Sequence, residues 1–279
     1  MVHLVLSATL SSLCFLIFWI LVWRHWDRSQ PEPFWSLAVA MCFGIIVGVL
    51  LLAVLETKTI WAMIENEYDS LLFMIFLVFI EEILKFLGFI FGRKIYKHEI
   101  DQTVDGFSYG AATGLGFAFV ENIVYFINYQ MDIWLVVFRS LDTMFLHSLL
   151  TGMFAFYYMI AYTPLMVKHR KLPIAYKHEV TFSQRIIDFF KALKFHITFH
   201  HILPHRKSNH QHRHTEVISE GFWIAVIFHF LHNFFAEYSI YGRSLYFLSI
   251  IIIGIMAFFC LQAFEQSWYQ KIAGKRSKS

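Results

Sequence analysis

Charged residues make up only 15% of this 279-residue chain, against 58% hydrophobic ones, and the mean hydropathy is +0.55. So little charge excludes a soluble globular domain and puts the chain in the membrane class. Cysteine is equally sparse. Cys14, Cys42 and Cys260 all lie in apolar stretches, which argues against a disulfide framework and makes buried free thiols the expectation. The N-terminus lacks a basic region ahead of its apolar run and has no clear cleavage site, so that run is expected to be a retained first span. What the chain does have is aromatic: 32 phenylalanines and 8 tryptophans suit lipid contact and interfacial belts. The expected environment is a lipid bilayer, with no nucleic acid as partner.

A bilayer crossing takes roughly 20 apolar residues. Runs of that kind occur near Val2–Trp23, Phe34–Leu55, Leu71–Phe91, Gly106–Ile127, Ile133–Tyr162, Gly221–Ile240 and Leu245–Phe264. Basic residues collect in alternate connections: Arg24 and Arg28 in the first, Arg93, Lys94 and Lys97 in the third, many between Lys168 and Arg213 in the fifth, and Lys271, Lys275, Arg276 and Lys278 in the tail. The others are acidic, as with Glu56, Glu65, Glu67 and Asp69, or very short. The pattern predicts an all-α, polytopic transmembrane bundle of about seven spans, N-terminus outside and C-terminus cytoplasmic.

One membrane domain is expected, in three stretches: residues 1–162 with the first five spans, a cytoplasmic basic and histidine-rich loop over 163–219, and residues 220–279 with the last two spans and a basic tail. Within the loop, Phe182, Ile186, Phe189, Leu193 and Ile197 recur at helical spacing among Arg185, Lys191 and Lys194, the pattern of an amphipathic helix on the inner leaflet. The accompanying His200, His201, His205, His210, His212 and His214 lie among Lys and Arg side chains that disfavour a cation, so a solvated polar loop is the expectation over metal chelation.

Ionisable side chains inside spans cost roughly 2.5–3.5 kcal/mol each on insertion scales and mark function by default. The third span carries Glu81, Glu82 and Lys85, the fourth Glu121 and Asn122, the fifth Arg139, Asp142 and His147, and the sixth His229, His232, Asn233 and Glu237. At about 1.5 Å rise per residue, Glu81, Glu121, His147 and His229 fall within roughly 6 Å of one plane. Four spans placing ligand-type groups at one depth predicts a single site. Lys85 one turn beyond Glu81 predicts an i,i+4 ion pair, and Arg139 with Asp142 a second pair. Both are open to a purely structural reading as charges that neutralise each other, and His232 to that of a satisfied bundle histidine. Glu237 is expected at the interface. Gly106, Gly110 and Gly114 form a small-residue stripe for close helix approach, and Glu121, seven residues on, shares its face.

Carboxylates, imidazoles and an amide at one depth suit water activation. A glutamate takes the proton from water, the histidines ligate a metal or relay protons, and Asn233 donates to a developing oxyanion. His147, His229 and a glutamate would supply a zinc site with an open position. The H-E-x-x-H motif is absent, which excludes the zincin pattern.

The run Glu81-Glu82-Ile83-Leu84-Lys85 matches an E-E-x-x-K motif, and the glycine-rich stretch from Asp105 ends in Phe117-Ala118-Phe119-Val120-Glu121-Asn122, an F-x-x-x-E-N element. Arg139 and then His147 follow, and His229-Phe230-Leu231-His232-Asn233 is of the form H-x-x-x-D/N. In this order, from about Leu71 to Tyr238 without the long loop, the chain resembles the PrsW-type intramembrane proteases, distant relatives of the CAAX prenyl endopeptidases. The resemblance implies a bacterial-type multi-pass endopeptidase of the cell membrane that cuts a membrane-embedded or membrane-adjacent protein, as in the first cleavage of anti-sigma factors. It implies catalytic roles for Glu81, Glu82, Lys85, Glu121, Asn122, His147, His229 and Asn233, with Glu121, His147 and His229 holding either a metal or the attacking water. The family is described both as metallo- and as glutamic-type, so Zn2+ and a metal-independent mechanism both stand. The alternative of another class is a proton- or cation-coupled transporter, for which buried glutamates and histidines are equally natural, although the chain shows no internal repeat.

Overall fold

Why the fourth apolar run lies at the centre of the molecule follows from its glycines. In the computed structural model, which describes residues 2–26, 31–55, 71–100, 105–170 and 210–237, this run forms α4 (Asp105–Asn128), buried along nearly its whole length. Around it stand α1 (Val2–Trp26), α2 (Phe34–Leu55), α3 (Leu71–Tyr96), α5 (Ile133–Phe138), which passes through a π-helical turn (Arg139–Thr143) into α6 (Met144–Arg170), and α7 (His210–Glu237). The described residues contain no strand.

Helices α6 and α2 pack most extensively on α4, from two sides. A Cβ at Gly114 would collide with the His147 carbonyl on α6, and a Cβ on Gly44 of α2 would collide with the Thr113 carbonyl on α4. These contacts are between backbones, and only glycine permits them. The expected stripe is therefore real, and its consequence is to bring His147 directly against α4. Helix α3 packs on α2 and more lightly on α4, and α7 closes the group against α6 and α3.

The connection between α4 and α5 sets a second register. Gln130 and Met131 adopt positive φ (51° and 60°), and Met131 N–H bonds back to the Phe126 carbonyl at 2.8 Å, which ends α4 abruptly. Asp132 then caps α5 by accepting from the Leu135 amide at 2.9 Å. Glu121 lies seven residues before the end of α4, and Arg139 seven residues after Asp132. The two side chains thus stand about 10 Å below the turn, at one height. Helix α1 is tied on by its indoles, Trp19 Nε1 donating to the Ser140 carbonyl (2.8 Å) and Trp23 Nε1 to Ser148 Oγ (3.0 Å).

Among the described residues, five helical stretches are long and apolar enough to cross a membrane: Val2–His25, Phe34–Leu55, Asp105–Asn128, Ile133–Met159 and Ile218–Ala236. They correspond to the first, second, fourth, fifth and sixth expected spans. The third, α3, has the length, but Glu81, Glu82, Lys85, Arg93 and Lys94 make it too charged to join them by composition. The seventh expected span, the amphipathic stretch 182–197 and Cys260 lie outside the described residues. Cys14 and Cys42 correct the expectation of buried thiols. Among the described residues both are exposed, on helices whose outer faces carry Leu10, Leu13, Ile17, Ile46 and Val49.

Gly114→Ala should lower unfolding stability in detergent by about 1–3 kcal/mol, the usual cost of overpacking. Gly88→Ala, whose new methyl would meet mainly side-chain methyls at 3.3 Å, should cost less. Thermal unfolding of both variants checks the difference.

Candidate active site

The middle of α3 faces inward with three ionisable side chains on it. Glu81, Glu82 and Lys85 are all buried, Lys85 completely. Lys85 Nζ donates to Glu82 Oε1 and lies 2.9 Å from His147 Nδ1. The expected Glu81–Lys85 pair is thus corrected to a Glu82–Lys85 pair at i,i+3: the ammonium turns toward His147 on α6, and Glu82 is the carboxylate on that side. His229 of α7 comes to the same oxygen, its Nδ1 2.7 Å from Glu82 Oε1. One carboxylate oxygen therefore joins α3 to α7 and, through Lys85, to α6.

A second ionic group stands on α4. Arg139 donates from Nη2 to Glu121 Oε1 (2.8 Å) and from Nε to Asn122 Oδ1 (3.2 Å), with its guanidinium 3.5 Å above the Tyr125 ring. The expected Arg139–Asp142 pair is also corrected. The shared height of Glu121 and Arg139 lets the guanidinium make its contacts on α4, while Asp142 Oδ2 lies 2.8 Å from His232 Nε2 on α7. His232 is the satisfied bundle histidine expected as one alternative.

The two groups meet at the histidines. His147 Nε2 lies 2.8 Å from Glu121 Oε2, close enough for an ion pair but without the alignment of a hydrogen bond, so that oxygen has no hydrogen-bond donor. The His147 and His229 rings are edge-to-face with centroids 4.8 Å apart. Glu81 Oε2, also buried without a hydrogen-bond partner, is 3.5 Å from His229 Nε2. Asn233, one turn beyond His229, places Nδ2 3.3 Å from the same nitrogen. All eight residues expected from the sequence thus belong to one assembly. Glu121 forms its partly exposed edge, with 22% of the side chain accessible, and Asn122 is fully buried behind it.

Among the described residues, one group of ligand-type side chains has the spacing to hold a metal ion. Ligand atoms from Glu81, His147 and His229 lie within 4.8 Å of one another. This set shares both histidines with the expected one but has Glu81 in place of Glu121, whose Oε1 is occupied by Arg139. Charge bookkeeping points the same way. Glu82 is balanced by Lys85 and Glu121 by Arg139, whereas Glu81 has only the longer approach to His229. A buried, incompletely partnered carboxylate oxygen flanked by two imidazoles is a set that a divalent cation fits. Sequence reasoning placed Arg139, Asp142 and His232 in the spans but outside the site. Their signal was present as ionisable groups in apolar runs, yet proximity along the helix suggested the wrong partners.

The family model described as PrsW family intramembrane metalloprotease matches residues 32–181. Protease PrsW of Oceanobacillus iheyensis is 33% identical over 150 residues, covering 52% of this chain and 65% of that relative. No solved structure matches. The family match takes in Glu81 to His147 and stops before α7, so His229 and Asn233 enter the site on geometry and motif alone.

Lys85→Met should destabilise the protein by about 3–5 kcal/mol by leaving Glu82 buried without its cation, and Lys85→Met with Glu82→Gln should recover a large part of that loss. Unfolding of the single and double variants in one detergent measures the difference.

Proposed function

Because the chain belongs to the PrsW family of intramembrane metalloproteases, we propose that it hydrolyses a peptide bond in a membrane-embedded or membrane-adjacent protein of the cell membrane. The observation that carries this reading is the convergence of Glu81, His147 and His229 beside the Glu82–Lys85 pair, inside a bundle whose surface is apolar. A substrate of the anti-sigma-factor kind, cut near the bilayer, suits a site buried between spans.

Glu81, His147 and His229 are the residues that would hold the metal, and zinc suits a donor set of two imidazoles and one carboxylate. Such an ion supplies Lewis acidity, polarising a carbonyl oxygen and lowering the pKa of water. The protein's own groups do the rest. Glu82 lies next to Glu81 and receives a proton from water, while Lys85 keeps the pair of carboxylates from repelling one another. His229 Nδ1, 2.7 Å from Glu82 Oε1, orients that carboxylate, which hands the proton on to the leaving amine. Glu121, held by Arg139, supports His147 from behind. Asn122 keeps Arg139 in place, and the Asn233 amide donates to the oxyanion.

A metal-free version of the same reaction has one observation in its favour: the Lys85 ammonium stands at His147 Nδ1, 2.9 Å away, where it competes with a cation. In that version Glu81 is the base and the histidines hold the water.

Reconstituted in liposomes with a quenched fluorescent single-span peptide, the protein should cleave, and Glu81→Gln or His229→Ala should abolish cleavage. Unchanged cleavage in both variants would sink the assignment. Metal analysis of the purified protein should find about one equivalent of zinc, lost in the His147→Ala/His229→Ala variant. Full activity in metal-free protein would select the glutamic mechanism. Substrate-dependent proton flux without proteolysis would select the transporter.

A further inference from the structure

Asp142 and His232 have no part in the chemistry above, yet among the described residues they form a further buried or nearly buried ionisable pair beside the site. His232 is 5% exposed and stands between two oxygen atoms, Asp142 Oδ2 at 2.8 Å from Nε2 and Asn233 Oδ1 at 3.3 Å from Nδ1. On its far side the Asn233 amide presents Nδ2 to His229 Nε2 at 3.3 Å. A continuous chain thus runs Asp142–His232–Asn233–His229–Glu82. From these contacts we propose that Asp142 and His232 are positioning residues that hold the Asn233 amide with its NH2 group turned into the site. The part of this proposal that concerns rate rests on the protease reading.

The argument is one of direction. A primary amide has nearly the same shape at both ends but donates from one and accepts at the other, so only its partners decide which way it faces. The His232 ring has an acceptor oxygen beside each nitrogen, Asp142 Oδ2 at Nε2 and Asn233 Oδ1 at Nδ1. An N–H aimed at Asn233 rejects the NH2 end and holds the carbonyl end. The NH2 end is then turned into the site, on the side of His229, where the developing oxyanion forms. Turned the other way, the amide would set its carbonyl oxygen against the negative charge it is meant to stabilise.

The backbone is built for this contact. Asp142 lies on the π-helical turn, where the Met144 amide bonds back to the Arg139 carbonyl. In a regular helix, residues three apart lie on one face. The wider loop spreads Arg139 and Asp142 further around the axis, so that Arg139 reaches Glu121 and Asn122 on α4 while Asp142 reaches His232 on α7. A single turn thereby anchors both sides of the site.

Two measurements test the proposal. In protein labelled with 15N-histidine in micelles, with the His229 ring signals assigned by their loss in His229→Gln, His232→Phe should shift the His229 Nε2 resonance. Asn233→Ala should give a similar shift, and the double variant no more. An unmoved His229 resonance in His232→Phe overturns the positioning role whether or not the protein is a protease. In the cleavage assay, His232→Phe and Asp142→Asn should lower kcat by about 10²-fold, the loss expected for one misdirected oxyanion donor, with KM within about twofold. His232→Gln, which keeps a donor, should recover part of that activity. In the Asn233→Ala background neither change should cost more. Equal losses in both backgrounds, or a change confined to KM, overturn the proposal. Absence of cleavage by the wild-type protein would count against the protease reading alone. Asp142→Asn serves for the spectra if His232→Phe fails to fold.

Discussion

Burying a carboxylate in a bilayer obliges the surrounding protein to bring up a counter-charge, because neither lipid nor water at that depth will do so. In this bundle, that constraint organises most of the interior. Glu82 draws Lys85 and His229 to a single oxygen, Glu121 draws Arg139 and His147, and Asp142 draws His232. Each pairing spans at least one helix boundary, apart from the local Glu82–Lys85 contact, so neutralisation and helix assembly are the same event. Remove the counter-charges and α3, α4, α6 and α7 lose the polar contacts that give them a register, since apolar packing against lipid-like neighbours has little directional preference.

Close approach is what makes those pairings possible. An imidazole on α6 reaches a carboxylate on α4 and an ammonium on α3 only if the backbones lie nearly in contact, and the glycines of α4 and α2 permit this. The abrupt end of α4 at Gln130 and Met131 matters in the same way, because it returns the chain with Arg139 at the height of Glu121. Packing and electrostatics are therefore interdependent: glycine contacts bring the helices together, and ion pairs select among the registers open to them.

The consequence for chemistry is an uneven distribution of charge. Glu82 and Glu121 are balanced by Lys85 and Arg139, whereas Glu81 makes no ion pair with a lysine or arginine among the described residues and keeps a buried oxygen with no hydrogen-bond partner, next to two histidines. A site that is to activate water needs such an unfinished corner, where a cation or the reacting water completes the coordination. The ligand atoms of Glu81, His147 and His229 converge on that corner.

The apolar runs, the depth of Glu81, Glu121, His147 and His229, and the glycine spacing of α4 were all legible in the sequence, because each is a property of one helix at a time. Helical rise converts residue number directly into depth, and a four-residue repeat of glycine is visible without knowing what lies opposite. Pairing was not legible. Sequence proximity suggested Glu81 with Lys85 and Arg139 with Asp142, yet Lys85 turns to Glu82 and His147, and Arg139 and Asp142 part to different helices across a π turn. The exposure of Cys14 and Cys42 was hidden for a related reason: an apolar stretch in a membrane helix does not say which of its faces meets lipid. By itself the sequence determined which groups lie at which depth. Only the tertiary structure decided which of them touch, because rotation about each helix axis is set by neighbouring helices and not by the chain that carries the residue.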